Sequence, residues 1–340
     1  MARTQRIVAM ELSYGVINTN GGDFVLACLE SIRRTHPADI QHEVVVIDNA
    51  SDDGSPEAIR ERFPGVRLIA RDRRAGITAN LNLLLRETRG RLFLFLNEDV
   101  ELQDGATRAL VTALDADPSA AAAGALLLDS ARRPTACAWR LPGLGSALAG
   151  ALFLHKSLVT QSRGGDTREV GWVRSAAFLL RREAVDRMAA YDTDFFFYGE
   201  ETDLQRRLRD AGWRVLYVPA AKVVHHEHAT TAGAAGSRRV VQFHRSRDLY
   251  MRKHHSRPVA ALCRALWAWS YVPRVVVALV APGHDARWYW LHARRALRPS
   301  YGEGMREAAE AYNLQLAAAR TRDRISGQTP LRSSSRAATS

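Results

Sequence analysis

The sequence predicts an α/β protein built on a doubly wound, mostly parallel sheet with flanking helices and a basic helical C-terminal extension. Three observations point there. Through the first hundred residues, short apolar, β-branched runs alternate with segments of helical periodicity, the pattern of parallel strands joined by helical crossovers. Polar and acidic residues follow directly on those runs, where ligands gather beyond the carboxyl ends of parallel strands. The charge is also uneven: of 48 basic and 36 acidic residues, positions 236–340 hold 19 basic against 6 acidic, net +13, while positions 1–235 are nearly neutral.

The elements follow in order. Residues 14–18 read as a strand ending at Thr19-Asn20-Gly21-Gly22, and 24–34 place Phe24, Ala27, Cys28 and Ile32 at helical spacing. The run Glu43-Val44-Val45-Val46-Ile47 is a buried strand that stops at Asp48. A turn-rich stretch, 49–54, leads into a helix with Ser55 as its expected cap and Pro56 in its first turn. A third strand (66–70), a helix (78–88) and a fourth strand (92–96) complete the block. Residues 171–231 form a second block. It holds a strand at 173–180, the aromatics Phe195-Phe196-Phe197-Tyr198, a helix at 204–211 closed by Gly212, and short strands at 213–219 and 222–226. Residues 132–168 carry no readable pattern. The expected division is an α/β domain at 1–235, a basic amphipathic helical extension at 236–325 and a disordered tail at 326–340.

Composition narrows the class. With 46% apolar and 25% charged residues over 340 positions, the chain is neither disordered, collagen-like nor a disulfide-stapled miniprotein. Cys28, Cys137 and Cys263 lie far apart without metal-ligand spacing, which favours a reduced, cytosolic setting. Residues 1–11 carry two arginines with no apolar stretch behind them, so no signal peptide is expected. The apolar run 141–154 is too short to span a bilayer, and 258–282 is interrupted by Arg264, Pro273 and Arg274; no transmembrane helix is expected.

Four clusters carry chemistry. In Ile47-Asp48-Asn49-Ala50-Ser51-Asp52-Asp53-Gly54-Ser55, a carboxylate after a buried strand can accept from a base imide or a ribose hydroxyl, or can cap the next helix. In Leu96-Asn97-Glu98-Asp99, Asp99 suits Mg2+ or Mn2+, hard ions that prefer carboxylate and phosphate oxygens; a solvated turn is the plainer reading. Glu200, Glu201 and Asp203 open a helix, where acids are ordinary dipole partners, but four aromatics before them suggest a pocket that raises a carboxylate's pKa. In His225-His226-Glu227-His228 the crowding suits a strand end better than a zinc cage, and one imidazole completing a divalent-ion site is the economical reading.

Taken in order, these motifs resemble family 2 glycosyltransferases, in particular the rhamnosyltransferase-like branch, over residues 14–231. Gly76-Ile77-Thr78-Ala79-Asn80-Leu81-Asn82 resembles the family's Gly-aromatic-x-x-Asn-x-Asn segment, with Ile77 where an aromatic is usual. Asn97-Glu98-Asp99 resembles an Asn-Pro-Asp form of its metal-binding motif, with Glu98 in place of proline. The resemblance implies a GT-A fold and an inverting transfer of a sugar from a nucleotide diphosphate to a hydroxyl. It implies that Asp48 binds the donor's base, Asp53 its ribose, and that Asn49, Ser51, Asn80, Asn97, Asp99 and Asp203 contribute to the donor site. Asp99 and His225 would hold the divalent ion, Mg2+ or Mn2+. The family's Glu-Asp-x-Asp is Glu200-Glu201-Thr202-Asp203 here, which puts Glu201 at the general-base position, with Glu200 as the other candidate.

The expected partners are a dTDP- or UDP-sugar, a glycan or lipid-linked acceptor of cell-surface polysaccharide synthesis, and an anionic membrane at the inner face of the plasma membrane. Membrane contact is assigned to 258–280, where tryptophans and aliphatics mix with flanking arginines. Acceptor contacts are assigned to 132–168 and the surroundings of Trp172. Two other classes compete with this reading. A sugar nucleotidyltransferase would want a basic triphosphate loop, and Asn18–Gly22 has glycines but no base. A nucleic-acid-binding protein would act through the basic C-terminal third, but the larger part of the chain is neutral, and nucleic acid is not an expected partner.

Overall fold

The computed structural model describes residues 10–227, 235–281 and 283–326. The first block runs β1 (Leu12–Asn18), α1 (Gly22–Thr35), β2 (His42–Asp48), α2 (Ser55–Arg62), β3 (Arg67–Ala70), α3 (Ile77–Glu87) and β4 (Leu92–Asn97). It continues through β5 (Val100–Leu102), α4 (Ala106–Ala116), β6 (Ala120–Leu128), β7 (Ala138–Trp139), α5 (Leu144–Ala151) and α6 (His155–Leu158). Then come β8 (Arg168–Glu169), β9 (Trp172–Val173), β10 (Ala177–Arg181), α7 (Arg182–Asp186), α8 (Glu200–Asp210) and β11 (Arg214–His225). Four helices close the chain: α9 (Ala235–His254), α10 (Arg257–Val280), α11 (Ala286–Leu297) and α12 (Met305–Ser326).

The central sheet has the order β3-β2-β1-β4-β10-β6-β11-β5, with β8 beside β11. β1 to β4 pair in parallel, and β1 is buried along its whole length because helices cover both faces. Register then does the positioning. Asn18 lies opposite Asp48, and Ile17 opposite Asn97, so three strands deliver polar residues to one edge.

The second half adds antiparallel pairing to the mostly parallel sheet. β10 runs antiparallel to both β4 and β6, so the sheet is mixed. The expected strand at 173–180 is two: β9 pairs with β7 in a small separate sheet, and β10 enters the main one. The strands expected at 213–219 and 222–226 are one, β11, with an irregularity between Val218 and Lys222. Gly54, in the left-handed conformation, occupies the cap position expected of Ser55, whose hydroxyl instead donates to Asp53 Oδ1 at 2.5 Å. The segment without a readable pattern holds β7, α5 and α6. The tail expected at 326–340 lies, from 327 on, outside the described residues.

A second apolar cluster joins the C-terminal helices to the α/β unit. Tyr250, Met251, Cys263, Trp267 and Ala296 pack with Ala147 of α5 and Phe195, the first of the four consecutive aromatics. Beside it, Asp203 of α8 is fully buried among three partners: the Arg207 guanidinium at 2.8 Å, the Lys253 ammonium at 2.8 Å and the His254 imidazole at 2.7 Å. Two of these come from α9, so one carboxylate latches α8 to the extension. Among the described residues, α10 is the helix long and apolar enough to cross a membrane by length and composition.

Burial alone would raise Asp203's pKa, but bonds from His254, Lys253 and Arg207 outweigh it and hold the carboxyl at about 2. The stabilisation is therefore present above the unfolded value, 3.8, and is lost as pH falls towards about 2. Removing one partner of a buried ion pair typically costs about 3–5 kcal/mol. Asp203→Ala is expected to lower stability by that order in urea titrations at pH 7. Asp203→Asn should flatten the fall of Tm between about pH 4 and 2; an unchanged acid limb would count against the latch.

Candidate active site

Between the polar edge of the sheet and the C-terminal helices lies a cavity of about 1170 Å3. Its floor is the end of β4. Asp99 Oδ1 stands 3.3 Å from His225 Nε2, and the Asn97 amide lies 3.4 Å from the same nitrogen. The backbone N–H of His226 donates to the Asp99 carbonyl at 3.0 Å, pinning the end of β11 to this turn. Glu98 also lines the cavity, and burial together with the adjacent Asp99 charge pushes its carboxyl up to about 8. The consecutive histidines divide. His225 reaches the cavity, His226 is engaged by Glu101 at 2.7 Å and Ser130 at 3.1 Å, and His228 lies outside the described residues.

In the first acidic turn the polar atoms bond within the turn. Asp48 accepts from the Asn18 amide at 2.8 Å and from the Ser51 N–H at 3.2 Å, and Ser51 Oγ accepts from the Asn20 N–H at 2.9 Å. Asp53 accepts from the N–H groups of Gly22 and Ser55. Of the residues expected at this turn, Asn49 lines the cavity; Asp48, Ser51 and Asp53 do not, because their polar atoms are used to fold the turn. Asn80, at the start of α3, does line it, and both its side-chain amide atoms are buried without a hydrogen-bond partner. Such a group asks for a ligand. Gly76 makes that placement possible: a Cβ there would lie 2.8 Å from the Phe196 carbonyl, which accepts the Ile77 N–H at 2.9 Å.

Opposite, Tyr198 and Gly199 adopt positive φ angles of 65° and 81°, turning the aromatic run sharply into α8. Glu200 and Glu201 follow and line the cavity, each with one carboxyl oxygen buried and unpartnered. The dipole of α8 would favour charge here. Burial is stronger and raises both groups, and they lie close enough to share a proton. Glu201 is the more readily ionised member, because it accepts from Glu200 and feels the Arg174 charge. Asp203, expected at the donor site, is not among the lining residues; Arg207, Lys253 and His254 enclose it.

Residue types alone missed the roof. Arg174 and, from the extension, Arg238, Arg239, Arg247 and Arg274 line the cavity. The signal was visible as the basic C-terminal third, but an arginine on a helix reads from sequence as solvated. β7 and β9 add Trp139 and Trp172, stacked at 4.6 Å, from the region assigned to the acceptor.

Comparison with known proteins agrees with this geometry. A family model described as glycosyl transferase family 2 matches residues 13–134. The chain is 30% identical over 233 residues to the N-acetylglucosaminyl-diphospho-decaprenol L-rhamnosyltransferase of Mycobacterium tuberculosis, covering 63% of this chain and 75% of that protein. The fold is shared with the mannosyltransferase PcManGT of Pyrobaculum calidifontis, solved with GDP-Man and Mn2+, at TM-score 0.52 and 18% identity over 91% of this chain and 80% of that one. It is also shared with S. aureus TarS 1-349 in complex with UDP-GlcNAc, at TM-score 0.53 and 13% identity over 94% and 93%.

The raised pKa of Glu200 carries a stability sign. The folded protein holds that proton more tightly than the unfolded chain, so the contribution is whole below the unfolded value, 4.5, and is lost as pH rises. Glu200→Gln should therefore melt above the wild type, with a gap that widens from about pH 5 to pH 8 in Tm measurements. A variant melting lower at pH 8 would contradict the shared proton.

Proposed function

The chain belongs to glycosyl transferase family 2, and on that premise we propose an inverting transfer from a nucleotide-diphosphate sugar to a hydroxyl of a lipid-linked glycan acceptor. One observation carries the reading. The adjacent carboxyls of Glu200 and Glu201, both raised by burial, and the Asp99–His225 pair open into the same cavity. dTDP-rhamnose is the first donor proposed and a UDP-sugar the second. A polyprenyl-diphosphate-linked sugar is the acceptor class, in line with the substrate named for the mycobacterial relative.

Glu201 is assigned as the base. Its carboxylate takes the acceptor hydroxyl's proton as the oxygen attacks the anomeric carbon, and the bond to the diphosphate breaks with its electron pair leaving on the phosphate oxygen. Glu200, which ionises later, keeps its proton and holds Glu201 in place through it. Asn80 and Asn49 contribute polar contacts to the donor. The chemistry of Asp99 and His225, a hard carboxylate oxygen beside a neutral-capable imidazole, fits Mg2+ or Mn2+. No three metal-ligating side chains converge among the described residues, so further ligands would come from the diphosphate and water. When bound, the ion supplies charge neutralisation for the departing diphosphate.

The membrane assignment belongs to the same reading. The second half of α10 leaves Trp269, Val276, Leu279 and Val280 more than half exposed, close to the apolar outer face of α5. An amphipathic surface of this kind, flanked by arginine, suits an anionic bilayer interface.

General-base catalysis contributes about 10²–10⁴ in rate. Glu201→Gln is expected to lose that much transfer activity while retaining nucleotide binding, and a wild-type rate would remove Glu201 from the role. Asp99→Ala, or chelation of divalent ions, should abolish transfer in a radiolabelled nucleotide-sugar assay. In sedimentation assays the full chain should pellet with anionic liposomes at low salt and dissociate as salt rises. Pelleting with DNA and not with liposomes would defeat the membrane assignment.

A further inference from the structure

The arginines of α9 and α10 are of two kinds. Arg238, Arg245, Arg252 and Arg264 are each paired with a carboxylate: Glu303, Glu307 and, for the last two, Asp248. Arg247 and Arg274, like Arg239, have no carboxylate within ion-pair distance among the described residues and line the cavity. The Arg247 guanidinium lies flat over Trp267, 3.3 Å from the ring centre, and burial lowers it to about 10. Arg274 lies over Tyr271 and Phe153, at 5.4 and 5.7 Å. His155 and Lys156 of α6 line the same end, and His155 is depressed by burial and by both arginine charges. Two guanidiniums without a carboxylate partner, Arg247 lowered by burial and Arg274 exposed, stand at one end of the cavity and are suited to hold an anion.

What adjoins this end is apolar. On α5 the usual polarity is reversed: Ala147, Ala149 and Ala151 face inward, while Leu144, Leu148 and Leu152, at helical spacing of four, are 40–58% exposed. Phe153 and Leu154 extend that strip, and α10, against which α5 packs, adds Val276 and Val277. An anion site that opens onto an apolar track matches a molecule with a charged head and a hydrocarbon tail. The acids of the cavity, by contrast, come from the ends of β4 and β11 and the start of α8.

We propose that Arg247 and Arg274, with Lys156 and His155, form a subsite for the diphosphate of the lipid-linked acceptor, whose isoprenoid chain leaves over the exposed strip of α5 and α10. The subsite deepens the acceptor assignment made above and rests on it. It places the acceptor's phosphates on the extension and leaves the donor's phosphates to the Asp99 end. Arg247, stacked on Trp267, offers a fixed donor fork for phosphate oxygens, and Arg274, at the exposed rim, receives the headgroup first.

The test is a titration of farnesyl diphosphate into the full chain saturated with Mn2+ and dTDP, and again with UDP. Binding to the nucleotide-loaded chain is expected, with Kd raised about tenfold or more in Arg274→Ala and in Arg247→Gln, and with nucleotide affinity preserved. Farnesol and inorganic pyrophosphate, which carry the tail or the charge alone, should each bind about tenfold more weakly than farnesyl diphosphate. Equal affinity in Arg274→Ala, whose exposed position leaves folding intact, overturns the proposal, as does displacement of the bound nucleotide by farnesyl diphosphate. Donor turnover with a polyprenyl-diphosphate-linked sugar is measured separately. Its absence in the wild type would overturn the acceptor assignment whatever the titration shows.

Discussion

A single buried carboxylate, Asp203, carries much of the architecture. It sits one turn along the helix whose first residues are Glu200 and Glu201, and it is neutralised from two directions, by Arg207 of its own helix and by Lys253 and His254 of α9. Without those partners a charge so placed would carry a large desolvation penalty; with them, α8 and α9 are committed to one relative position. That position lowers α9 over the sheet edge, brings Ser246 to the Phe197 carbonyl at 2.7 Å, and fixes the turn that presents the acid pair.

Inside the cavity, electrostatics sort the chemistry. Burial and the adjacent Asp99 charge raise Glu98, and burial raises Glu200 and Glu201, so these lining carboxyls resist ionisation. The interaction between Glu200 and Glu201 leaves Glu201 the more readily ionised and so distinguishes two chemically identical groups. Arginines line the same cavity, and a substrate rich in phosphate meets complementary charge at their end of it.

The strand-end motifs were legible because they follow from local rules. An apolar strand in a parallel sheet must end, and its first polar residues must lie at the carboxyl edge; Asp48, Asn97 and Asp99 are placed that way. His225 ends a strand in the same way, whereas Glu201 was marked by the aromatic run that precedes its helix. Asp48 and Asp203 show the limit: residue type and position along the chain were read correctly, but whether a carboxylate faces a ligand or its own loop depends on neighbours such as Asn18 and Lys253, which are remote in sequence. β6 was silent because Ala120–Ala123 lack the β-branched side chains that mark strands, and only its place between β10 and β11 makes it one. The arginine roof was illegible because facing inward is a tertiary property.

α12 carries a consequence of its own. Asn313 exchanges hydrogen bonds of 2.7 and 2.9 Å with the backbone of Arg74, whose guanidinium covers Tyr312 at 3.6 Å, and the Tyr312 hydroxyl donates to Asp52 at 3.1 Å. The far end of the chain is thereby sewn to the turn after β2, as α9 is sewn to α8. The extension cannot be treated as a module to be exchanged between related enzymes. A graft that kept the sheet and replaced the helices would have to carry Arg74, Asp52, Phe195 and Asp203 with it, so drift in one half of this chain is answerable to the other.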